Sequence, residues 1–211
     1  MAEDRRVRRT KRLLRGALVE LVLEHGFDTV TVEDITEHAD IGRATFYKYY
    51  RDKQALLDQI AVDVQSDLLE RLLPLAPESS RGFTGKPVLE MFRHAREERD
   101  VYRVILRGEG HGRALRTFVD RRVAAAAQIF AQRAAHHGAQ LRIDPEVLAR
   151  AWVGEQIAVL QWWIEQDDPE LSAEEITTML LDLSLRGRYW ANGFDGDPGE
   201  ARGVTRPDDR P

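Results

Sequence analysis

The segment Arg43-Ala44-Thr45-Phe46-Tyr47-Lys48-Tyr49 gathers a guanidinium, an ammonium, a hydroxyl and two phenols into about two helical turns. An arginine fork matches the O6 and N7 acceptors of guanine, and Thr, Tyr and Lys suit phosphate oxygens. Phe46 and Tyr50 are expected to anchor the segment on its neighbours. Plain core packing is the competing reading for the tyrosines: it is preferred for Tyr50, evenly balanced for Tyr49 and disfavoured for Tyr47. The charge distribution agrees with contact to a polyanion at one end of the chain. The net charge is −5, yet residues 1–15 carry Arg5, Arg6, Arg8, Arg9, Lys11, Arg12 and Arg15 against only Glu3 and Asp4. A basic arm on an acidic body confines such contact to the N-terminal end; a solvated helix face would account for the same run of arginines.

Other chemistries find little support. The 211 residues include no cysteine, so thiolate metal sites, disulfides and cysteine nucleophiles are excluded. His136 and His137 are adjacent and point to different helix faces, with no third ligand at metal spacing. Gly108-x-Gly110-x-Gly112 follows a helix and not a strand, so it reads as a helix break and not a phosphate loop. No G-x-S-x-G, H-E-x-x-H or Walker-type motif occurs. Neither a cofactor nor a metal is expected, and the chain is not expected to be an enzyme. The charged start MAEDRRVRRTKR lacks an apolar signal region, and no apolar run reaches the ~18 residues of a membrane span. A cytoplasmic location with no membrane partner is the expectation.

The elements that would position the donor-rich segment are helices. Leu14, Ala17, Leu18, Leu21 and Val22 recur at helical spacing, predicting a helix over about 8–25. Gly26 stands where a left-handed residue closes a helix, followed by Phe27 to pack back on it. Thr31-Val32-Glu33-Asp34 opens a second helix with a capping-box pattern. Asp40-Ile41-Gly42 breaks it before the segment at Arg43. A fourth helix follows Asp52 and reaches about Leu73. Residues 74–87, rich in Pro, Gly and Ser, form the clearest loop. Further helices are predicted over 87–97, 100–107, 112–137, 145–166 and 173–192. Two short helices joined by a tight turn, each apolar on one face, make a helix-turn-helix, whose second helix enters the major groove. The fold class is therefore all-α. Residues 1–53 form an N-terminal helix-turn-helix domain, 54–192 a larger C-terminal helical domain, and 193–211 a disordered tail.

The stretch from Thr31 to Leu57 resembles the DNA-binding signature of the TetR/AcrR family. Thr45, Tyr47, Tyr49, Lys53 and Leu56-Leu57 fall at that signature's spacing, and the resemblance covers about fifty N-terminal residues. It implies that Thr31 and Thr45 touch phosphates and that Arg43, Ala44 and Lys48 face base edges. It further implies that Tyr47 and Tyr49 lie on the backbone and that Lys53 meets a phosphate. The chain departs from the pattern at Asp40, where Gly usually begins the turn, at Gly42, where Ser usually caps the helix, and at Ala44, where Gly is frequent. Family members diverge beyond this domain. Tyr102–Gly110, Leu160–Glu165 and Ser172–Ile176 resemble a subgroup of the family without naming a ligand.

Homodimerisation is expected through the last two helices. Residues 145–166 carry Leu148, Trp152, Ile157, Leu160, Trp163 and Ile164, and residues 173–192 carry Ile176, Met179, Leu180, Leu183, Leu185 and Trp190. Both are apolar on more than one face, which a symmetric four-helix seam would cover. An effector pocket is expected among Met91, Phe92, Tyr102, Ile105, Leu106, Phe118, Phe130, Trp152, Gln156 and Trp162, although ordinary core serves each of them as well. The function that follows is a ligand-responsive regulator, a repressor released from palindromic double-stranded operator DNA by a small-molecule effector. The alternatives are a structural, nucleoid-associated DNA-binding protein without an effector, and an enzyme with an all-helical pocket.

Overall fold

The computed structural model describes residues 2–75 and 85–191. Among them are nine α-helices and no strand: α1 (Ala2–His25), α2 (Val32–His38), α3 (Arg43–Tyr49), α4 (Lys53–Leu72), α5 (Lys86–Glu97), α6 (Arg99–Leu106), α7 (Arg113–His136), α8 (Pro145–Ile164) and α9 (Ala173–Ala191). A short 3-10 turn, Leu73–Leu75, follows α4. The tail expected over 193–211 and most of the 74–87 loop lie outside the described residues.

Local sequence accounts for most boundaries. Gly26 adopts φ 80° and donates its N–H to Val22 O at 2.9 Å, which closes α1. Thr31 caps α2 with a reciprocal capping box: Asp34 N–H donates to Thr31 Oγ1 and Thr31 N–H to the Asp34 carboxylate. Asp144 accepts from Glu146 N and Val147 N at the start of α8, where Pro145 has no N–H to satisfy. Two boundaries differ from expectation. The first helix begins at Ala2, not near Arg8, because the basic arm has no Gly or Pro before Gly16 and Arg and Lys are good helix formers. The last helix, expected unbroken, is interrupted at Gly187 (φ 81°, ψ 172°).

The chain divides into two compact units, residues 1–170 and 171–211. In the first, α1 packs on α2, α4 and α6, α2 on α3, and α4 on α5 and α7, while α7 and α8 form an extended antiparallel pair. Leu14, Leu18, Ile35, Phe46 and Leu57 are fully enclosed around α1 to α4. Residues 1–53 thus share a unit with the helices that follow. The α6–α7 turn is one junction. Glu109 Oε2 accepts from Phe27 N at 3.0 Å, Arg113 pairs with Asp58 at 3.2 Å, and Gly110 (φ 64°) lies so close to α4 that a Cβ there would stand 2.6 Å from Leu57 Cδ2. In the second unit, Ser172 and Glu175 form a reciprocal cap at the start of α9. No helix among the described residues is long and apolar enough to cross a membrane.

Candidate nucleic-acid interface and effector cavity

The α2–α3 unit is a helix-turn-helix. Asp40 turns the chain at φ 52°, a conformation Asp tolerates better than most residues. Asp40 N–H then donates to Glu37 O and Ile41 N–H to Thr36 O. Gly42 caps α3 with backbone alone, its carbonyl accepting from Thr45 N at 2.8 Å. Phe46 is fully buried and Tyr50 nearly so, and their ring centroids lie 5.8 Å apart. Burial holds the Tyr50 phenol above its ordinary pKa, so it stays neutral. These two rings fasten α3 to the body.

The opposite face of α3 is open. Arg43, Ala44, Tyr47 and Lys48 are exposed, and their i, i+4 pairing places them side by side. Tyr47 is 53% exposed. Arg43 is held only by a 3.3 Å contact with Glu33 on α2, a surface pair worth little, so its donors can exchange to another acceptor. Lys48 Nζ stands 5.7 Å from the Tyr49 ring centroid. Thr45 and Tyr49 are half-buried at the flanks of this face. Arg5, Arg6, Arg8, Arg9, Lys11 and Arg12 are exposed along α1, whereas Arg15 is drawn into an ion pair with Glu98.

Two of the expected contact residues have other work. Thr31 is exposed, but its hydroxyl donates to Asp34 Oδ2 at 2.7 Å as part of the α2 cap. Lys53, expected to be a free phosphate donor, is half-buried with Nζ 2.6 Å from Phe27 O, 2.6 Å from Val30 O and 3.2 Å from Asp28 O. An ammonium has three hydrogens, and here each has a backbone acceptor. The same Nζ sits 4.6 Å from the Phe27 ring centroid. Lys53 therefore ties the α1–α2 loop to the start of α4.

A cavity of about 190 Å³, open to solvent on one side, lies between α4, α7 and α8. Of the expected pocket residues, Phe118 and Trp152 line it. Phe92, Tyr102, Ile105 and Gln156 are buried core away from its wall, as are Met91 and Leu106. Phe130 stacks edge-on against Trp152 behind the wall. Trp162 differs from expectation: it is 55% exposed on α8 and lies outside this cavity's wall, because Trp163 and Leu160 turn inward in its place. The core residues form a polar chain, with His94 Nδ1 2.9 Å from the Tyr102 hydroxyl and Tyr102 edge-on to Phe118. Burial raises the Tyr102 pKa and lowers that of His94, where the Arg71 charge adds to the effect, so both groups are neutral. The remaining wall residues include Gln65, Leu69, Arg122 and Ile129, none singled out in the sequence. Arg121 lines the same wall but is exposed, whereas Arg122, one position on along α7, is half-buried. No group of three or more His, Asp or Glu able to hold a metal occurs among the described residues.

Residues 14–60 match the model of "Bacterial regulatory proteins, tetR family". The chain is 37% identical over 60 residues to the HTH-type transcriptional regulator YdeS of Bacillus subtilis, 28% of this chain and 30% of that protein. It is 31% identical over 90 residues to the class D tetracycline repressor of Escherichia coli, 43% of this chain and 41% of that protein. The chain thus aligns with less than half the length of these curated relatives. A TetR-family transcriptional regulator from Syntrophomonas wolfei shares the fold with a TM-score of 0.69 at 16% identity, over 88% of this chain and 96% of that one. The sequence match centres on the helix-turn-helix: residues 14–60 are similar to the DNA-binding domain of the TetR family of bacterial regulatory proteins, and through the larger helices the chain shares the fold of that family's solved structures.

Proposed function

We propose that the protein is a transcriptional regulator that binds a palindromic operator as a homodimer and is released from it by a small molecule, acting as a repressor. The observation that carries this reading is the exposed α3 face of Arg43, Ala44, Tyr47 and Lys48, fixed from behind by buried Phe46 and Tyr50. A helix so presented fits the major groove, with Arg43 and Lys48 toward base edges and Thr45, Tyr47 and Tyr49 toward phosphates. Residues 1–53 serve as the reading head and 54–192 as the regulatory part. Exposed apolar side chains on α8 (Val147, Trp162) and on α9 (Met179, Leu185) support association with a second copy. The cavity between α4, α7 and α8 supports an effector: a ligand that prefers one spacing of the reading heads shifts the population away from the DNA-bound form.

Selection of bound duplexes from a random pool, followed by gel-shift titration, tests the reading. Arg43→Ala is expected to cost about 1–3 kcal/mol on the selected operator and much less on random DNA. Equal losses on both would confine Arg43 to a phosphate, and unchanged binding in both Arg43→Ala and Lys48→Ala would remove α3 as the reading helix.

A further inference from the structure

The cavity between α4, α7 and α8 has an unusual wall. Leu68, Leu69, Phe118, Ile129 and Trp152 make most of it apolar, yet Arg122 and the more exposed Arg121 open onto it, and among the described residues no carboxylate lines it. Among the described residues Arg122 has no acidic partner. Its Nε is enclosed without a hydrogen-bond acceptor, and the Phe118 ring lies 6.0 Å from the guanidinium carbon. Burial lowers the Arg122 pKa from its ordinary value, but an arginine keeps its charge all the same. A half-buried, unpaired guanidinium is costly, and removing the charge from such a site commonly stabilises a protein. A second polar atom on the same wall is also orphaned. Gln65 Nε2 reaches Thr117 O at 3.4 Å, and Gln65 Oε1 is enclosed without a donor. A cavity of about 150 Å³ admits benzene, so 190 Å³ suits a ring bearing a short substituent.

We infer that this cavity binds a small aromatic carboxylate, with Arg122 receiving the carboxylate and Phe118, Trp152 and Ile129 holding the ring. The guanidinium fork pairs with a carboxylate through two parallel N–H···O bonds, which supplies Arg122 with an anion that no described residue provides. A ring hydroxyl would donate to Gln65 Oε1. This identifies the chemical class of the effector and rests on the regulatory reading above only for its consequence at the operator; binding itself does not depend on that reading.

The test uses the full chain without DNA. Calorimetry compares phenylacetate with its neutral isostere phenylacetamide, in the unaltered protein and in Arg122→Met. The unaltered protein is expected to prefer the carboxylate by roughly 10- to 100-fold, the range set by a charge-assisted pair, and Arg122→Met to lose that preference. Without ligand, Arg122→Met is expected to melt ~2–4 °C higher, since an unpaired charge is gone, so a folding defect will not mask the result. Lack of preference in the unaltered protein, the same preference in Arg122→Met, or no binding of either probe overturns the proposal. So does a changed oligomeric state in Arg122→Met without probe binding, which would assign the cavity to a protein interface. A gel shift with the selected operator then reads the regulatory function separately. Carboxylate binding without release from DNA leaves the cavity assignment standing and removes the repressor-release mechanism.

Discussion

At the scale of single residues, the helix-turn-helix separates groups that hold α3 from groups left exposed for the proposed contact with DNA. Phe46 and Tyr50 are buried and Lys53 is spent on three carbonyls, while Arg43, Tyr47 and Lys48 remain available at the surface. Lys53 is the instructive case, because its position at the start of α4 gives it equal claim to a phosphate and to the preceding loop. Lys53→Met keeps the aliphatic stem and removes the donors, leaving Phe27 O and Val30 O without their charged partner. The expected outcome is a loss of about 1.5–3 kcal/mol in urea denaturation, the range for hydrogen bonds to a charged group. A bound phosphate removed from the complex would also flatten the dependence of log affinity on log salt by about 0.9. The geometry predicts the stability loss without that change of slope. Unchanged stability with a flatter slope would return Lys53 to the DNA.

At the scale of elements, the α6–α7 turn joins the reading end to the larger helices. Glu109 accepts from the backbone just after α1, Arg113 pairs with Asp58 on α4, and Gly110 touches Leu57. On its other side, α6 sends Arg99, Arg103 and Arg107 to the end of α8, where Arg107 grips Glu165 through two contacts of 2.6 Å and Arg99 reaches Ile164 O and Gln166 O. These pairs hold the Glu165 carboxyl below its ordinary pKa. Gly110 and Gly138 offer a controlled comparison. Both have positive φ, 64° and 61°, but a Cβ at Gly138 meets open space whereas one at Gly110 meets Leu57. Gly138→Ala is expected to cost about 1–2 kcal/mol from backbone strain alone. Gly110→Ala should add a further 1–3 kcal/mol, roughly, for the overpacked contact. Equal losses in thermal denaturation would show that the turn does not press on α4.

At the scale of the whole molecule, stability acquires a pH dependence from His94, buried beside the Tyr102 hydroxyl. Burial and the Arg71 charge lower its pKa, opposed by Glu98, Asp67 and Glu97. The folded state therefore binds this proton less readily than the unfolded chain, whose histidine titrates near 6.5. Stability is full above that value and falls as pH drops below it, by no more than about 1.4 kcal/mol per pH unit. Urea denaturation at about pH 7.5 and 5.5 should show this loss, and His94→Gln should show less of it; an equal loss in the variant would place the proton elsewhere. Local sequence was enough to mark out the helices of the reading end, the left-handed turns at Gly26 and Asp40, and the exposed row from Arg43 to Lys48, since caps, turns and periodicity act within a few residues of one another. The orphaned charge of Arg122, the threefold grip of Lys53 and the outward position of Trp162 depended on which distant helices meet. Each is set by the packing of α4, α7 and α8 or of the α1–α2 loop on α4, and a pattern along one helix does not reveal which of its faces a remote neighbour will cover.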